Sequence, residues 1–70
     1  MKIYGLEVSP QQEKAVMERM KSPFTNHDIR KAWSEVGYPY TTTATDNIIK
    51  REKNAGRIVR RGTEWHPKEK

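Results

Sequence analysis

Between Thr25 and Pro39 the chain writes one short helix with both ends marked, and that segment restricts the fold more than any other. Thr25 is placed to cap the N-terminus. Asp28, three residues on, can return a bond to the cap amide and meets the positive end of the helix. Phe24 just before the cap and Ile29 just inside it form a hydrophobic staple. Ile29, Ala32, Trp33 and Val36 recur at i, i+3, i+4 and i+7, one face of a helix. Gly37 can close the helix in a left-handed conformation, with Tyr38 folding back onto Trp33, and Pro39 blocks continuation. The spacing predicts a helix over Asn26 to Val36. A helix this short, with one apolar stripe, holds only by packing on other elements.

Its neighbours are written in the same way. Ser9, Pro10 and Gln12 make a capping box with proline at the first helical position, and Val16, Met17 and Met20 give the helix that follows an apolar stripe. Ser22-Pro23 ends it. After a tight connection over Tyr38 to Thr42, Thr43 is expected to cap a third helix with Asp46 as its box partner. Ala44, Ile48 and Ala55 mark the buried side, Ile49 is partly buried, and Gly56 closes the helix. Arg57-Ile58-Val59-Arg60 reads as a strand, Arg61-Gly62 as a turn and Thr63-Glu64-Trp65 as the returning strand. Residues 1–8, with Ile3, Leu6 and Val8 apolar around Gly5, read as an N-terminal arm or short strand, and residues 67–70 as a charged tail. Phe24, Ile29, Trp33, Ile48 and Trp65 are expected to supply most of the core volume, with Trp65 pinning the hairpin to the helices.

Seventy residues make one domain. The absence of cysteine removes disulfides, thiolate zinc sites and cysteine nucleophiles, and it fits a reducing cytosol. No apolar run approaches the roughly 20 residues of a membrane span, and Met1 to Val8 is too short and polar for a signal peptide. The expectation is a soluble cytoplasmic protein. Neither His27 nor His66 has a further ligand at metal spacing. Ser9, Ser22 and Ser34 lack a base, and there is no glycine-rich phosphate loop. No enzyme, cofactor, metal or small-molecule ligand is therefore expected.

The charge is unevenly placed. Lys2 to Ile49 holds six basic and six acidic residues, whereas Lys50 to Lys70 holds eight basic against three acidic, so the whole formal charge of +5 lies in the last third. A cationic helix running into a cationic hairpin suits a polyanion, and duplex nucleic acid above all.

The order of elements resembles that of the winged helix-turn-helix family over roughly Ser9 to His66. In that family the recognition helix carries apolar residues twelve, eight, seven and four positions before a glycine, and an apolar pair follows it. Here Ala44, Ile48 and Ile49 precede Gly56 at the first three positions and Ile58-Val59 follow. Glu52 stands at the fourth in place of the usual leucine, a departure expected to thin the core under the third helix. The resemblance implies a mainly α fold with a small β-hairpin, a three-helix winged helix-turn-helix occupying residues 9–66.

On a helical wheel with Ala44 and Ile48 inward, Thr42, Thr43, Asp46, Asn47, Lys50 and Arg51 face outward or lie at the rim. Asn47 could pair with the adenine edge, Lys50 or Arg51 with guanine or phosphate, and the threonines with phosphates or thymine methyls. Asp46 argues against close phosphate approach, and capping accounts for it. Arg57, Arg60 and Arg61, with Lys68, are expected to form a positive ridge along the backbone. The expected partner is double-stranded DNA, bound by a small transcriptional regulator or accessory factor, with a second copy or partner protein for added specificity. The competing expectation is a winged-helix interaction module docking an acidic protein.

Overall fold

Helix termini are decided locally, and in the computed structural model, which describes residues 2–68, the first two helices form where their caps dictate. Met1, from the arm, and Glu69 and Lys70, from the tail, lie outside the described residues. Helix α1 (Pro10–Arg19) starts on Ser9, whose hydroxyl accepts from the Gln12 amide while the Gln12 side chain accepts from the Ser9 amide. Helix α2 (Asn26–Glu35) starts on the same reciprocal pair between Thr25 and Asp28, and Val36 forms its C-cap. Gly37 follows at φ 78°, and the Tyr38 amide donates to the Trp33 carbonyl, closing the helix as expected.

Helix α3 (Thr41–Asn54) corrects the reading. It begins two residues before the expected cap, at Tyr40, which makes no side-chain capping bond, and the Thr43–Asp46 box does not form. The Tyr38 to Thr42 connection is correspondingly shorter. Ala55, expected inside, is exposed at the C-cap, and Gly56 follows at φ 74°. Ile49 is buried together with Ala44 and Ile48.

Two hairpins flank the helices. Strands β1 (Lys2–Ile3) and β2 (Leu6–Glu7) pair antiparallel across Tyr4-Gly5, so the arm is a miniature hairpin rather than one strand. Tyr4 and Gly5 stand at φ 50° and 81°, the doubly left-handed pattern of a type I′ turn. Ile3 and Val8 enter the core, and the buried Tyr38 hydroxyl donates to the Leu6 carbonyl at 3.1 Å. Strands β3 (Ile58–Arg61) and β4 (Glu64–Pro67) pair antiparallel with Arg60 opposite Trp65 and Val59 opposite His66. The turn is Gly62-Thr63, one residue later than expected, and β4 runs through Pro67, the first residue of the expected tail.

The α1–α2 linker adds a bridge that the sequence did not disclose. Phe24 and Trp65 exchange both backbone hydrogen bonds, at 2.9 and 2.7 Å, so Phe24 extends the hairpin by a third, one-residue strand. The Trp65 indole donates to Asn26 Oδ1 at 2.8 Å, which pins β4 to the start of α2. Three helices followed by this hairpin have the layout of a winged helix. The core joins these elements through Ile3, Val16, Phe24, Ile29, Trp33, Ile48, Ile58 and Trp65. No helix among the described residues is long and apolar enough to cross a membrane.

Candidate nucleic-acid interface

Helix α3 and the β3–β4 hairpin meet at an angle that leaves a groove of about 380 Å³ between them. Asp46, Ile49, Lys50, Lys53 and Asn54 line it from α3, Arg60 and Trp65 from the hairpin, and Asn26 from α2. The pleat decides which arginine enters. Successive strand residues point to opposite faces, so Ile58 and Arg60 share the helix side with Trp65, while Val59 and Arg61 share the far side with His66. Arg60 lies over the Trp65 ring, 5.9 Å from its centroid, and its Nε donates to the Gly62 carbonyl at 3.2 Å. Arg61 instead borders a second hollow, on the opposite face, with Val59, His66, Pro67 and Lys68. The expected single ridge of Arg57, Arg60, Arg61 and Lys68 is thus divided by the hairpin's own alternation.

Arg57 stays exposed, but its charge is already paired with a carboxylate. Its Nε lies 3.0 Å from both Glu52 oxygens and its Nη2 2.5 Å from Oε2. Glu52 fills the buried fourth position of the α3 pattern, with 3% of its surface exposed. The hydrogen bonds from Arg57 hold its carboxyl below the ordinary value of 4.5, against the opposing effect of burial. The core is therefore not thinned as expected: the glutamate stem occupies the site and an arginine neutralises its head.

Arg51, expected on the outward face or at its rim, is half-buried and turns towards α1. Its Nη1 donates to Glu13 Oε1 at 2.5 Å, its Nη2 reaches Met17 Sδ at 3.7 Å, and its Nε lies 3.5 Å from Glu52. The helical period explains the turn, since position 51 lies on the flank of α3 that faces the α1 stripe rather than the groove. Of the other expected residues, Thr42, Asn47 and Lys50 are exposed on α3, Thr43 is half-buried, and Arg60 and Arg61 are exposed on the hairpin. Thr42, Thr43 and Asn47 do not line the groove.

Sequence reasoning missed three groove residues, Lys53, Asn54 and Asn26. Lys53 follows Asp46 by seven positions and Asn54 follows Lys50 by four, so extending the outward face by one turn would have found both. It also missed a cationic depression of about 380 Å³ on α2, where His27, Arg30, Lys31 and Ser34 meet Thr41. Those α2 positions have the i, i+3, i+4, i+7 spacing of a polar face. The charge balance concealed them, because acidic residues elsewhere cancel Arg30 and Lys31 over the first 49 positions.

No protein family, curated protein or solved structure matches the chain.

Proposed function

We propose that this protein is a winged helix-turn-helix module that binds double-stranded DNA, with α3 in the major groove and the β3–β4 hairpin along the adjacent backbone. One observation carries the reading. Lys50, Lys53 and Arg60 converge on one groove, and among the described residues none has a carboxylate within salt-bridge distance. Phosphates would supply the missing countercharge, and released counterions the driving force. In this arrangement Lys53 and Arg60 bind backbone, while Lys50 and Asn47 meet base edges. Thr42 and Thr43, in the first turn of α3, would contact phosphate through their hydroxyls. A single module buries only about 600–1,000 Å² of its own surface on DNA, so a second copy or a partner protein would sharpen selection. The role that fits is a small transcriptional regulator or accessory DNA-binding factor.

A competing reading, docking of a protein partner without DNA, draws on a different observation. Tyr4, Leu6 and Tyr40 are exposed, and Tyr4 meets Tyr40 edge to face at 5.1 Å. An amide-shift titration of labelled protein with a mixed-sequence duplex, at low and then raised salt, separates the two. Salt-sensitive shifts at Asp46 to Asn54 and at Arg60 support DNA binding. A spectrum unmoved by duplex at low salt discards it.

A further inference from the structure

Asp46 is left without the capping role expected of it. The capping box that would have occupied it does not form, because α3 starts at Thr41 and leaves Asp46 beyond the first turn. Its carboxylate makes no hydrogen bond or salt bridge among the described residues, and it is exposed on the groove wall beside three cations. On a surface built only for phosphate an unpaired carboxylate is a fault, since it repels the ligand.

We infer that Asp46 is a specificity-determining residue that selects cytosine at one position of the DNA site, with Lys50 taking the guanine of the same or the next base pair. The inference rests on the DNA-binding reading above. An ionised carboxylate only accepts hydrogen bonds. In the major groove the donors are the N4 amine of cytosine and the N6 amine of adenine. Adenine carries the N7 lone pair beside its amine, which repels a carboxylate, whereas cytosine carries only a C–H there. Lys50, one turn further along the same groove wall, only donates, and guanine offers it two adjacent acceptors, O6 and N7. An acceptor and a donor one turn apart thus match a C·G pair or step. The same carboxylate weakens non-specific backbone binding, which widens the gap between right and wrong sequences.

Selection from a randomised duplex library, followed by competition binding at fixed salt, tests this with the wild type, Asp46→Ala and Asp46→Asn. The wild type is expected to prefer cytosine at one position by roughly tenfold, in the range of a single base contact. Asp46→Ala should lose that preference while binding random duplex more tightly. Asp46→Asn should move it towards adenine, whose N6/N7 edge an amide matches, a change that no purely structural role would produce. An unaltered base preference in Asp46→Ala, with duplex binding intact, overturns the inference alone. A wild type that binds no duplex at low salt overturns both it and the reading on which it rests.

Discussion

Glu52 is a residue whose local chemistry reaches well beyond its own position. A leucine there would be simple core; a glutamate must bring its counterion with it, because burial of an unpaired carboxylate is strongly unfavourable. The counterion is Arg57, the residue that opens the wing, and Arg51 adds a second contact from the same helix. One buried carboxylate therefore engages Arg57 closely and Arg51 more distantly, although the Arg57 side chain itself stays exposed. The consequence for pH follows from the depressed carboxyl pKa. The unfolded chain takes up the Glu52 proton first as pH falls, so this pair stabilises fully above the ordinary value of 4.5 and the contribution is lost below it. Glu52→Leu should remove that acid-dependent component. Thermal unfolding followed from pH 7 to pH 3 is expected to fall less steeply in the variant. Its Tm at pH 7 should be unchanged or raised by about 5 °C, since a packed aliphatic often replaces a buried ion pair without loss. An equally steep decline in both proteins would mean that the pair carries no linked proton.

At the scale of elements, the N-terminal hairpin is attached rather than integral. Its strands are two residues each, Leu6 is exposed, and Ile3, Val8 and the Tyr38–Leu6 hydrogen bond hold it to the helices. Tyr38→Phe keeps the ring against Trp33 and deletes only the hydroxyl latch. The expected cost is about 1 kcal/mol. Amide exchange should accelerate at Ile3 to Glu7 while α2 and α3 stay protected, and uniform acceleration would instead make the hairpin part of the global unit. What could be read in advance follows the same division. Helices α1 and α2 were legible because each carries a reciprocal cap and a glycine or proline stop within its own span. The start of α3 was not, because Thr43 and Asp46 imitate a box while the helix begins at Thr41 with no side-chain cap to mark it. The first hairpin was hidden because Tyr4-Gly5 lacks the usual asparagine-glycine signature and needs a tyrosine at positive φ.

Across the whole molecule, the site depends on alignments that no single segment encodes. That the last third is cationic was plain from counting; which cations share a face was not. A turn at Arg61-Gly62 would set Arg60 opposite Thr63, whereas the turn at Gly62-Thr63 sets it over Trp65 and into the groove. The same alternation sends Arg61 to the opposite face, and the Glu52 and Glu13 pairs remove Arg57 and Arg51. This partition makes a quantitative claim about salt. The slope of log affinity against log salt counts the phosphates neutralised, at roughly 0.9 for each on duplex DNA. Lys53→Ala and Arg60→Ala should each flatten the slope by about 1 and weaken binding to all sequences alike. Arg51→Ala should leave it unchanged, because that guanidinium is already committed to Glu13. Binding isotherms for the three variants between 50 and 200 mM salt, a range over which such contacts respond strongly, decide the matter. If Arg51→Ala flattens the slope as much as Arg60→Ala, the α1–α3 ion pair opens on DNA and Arg51 joins the phosphate contacts.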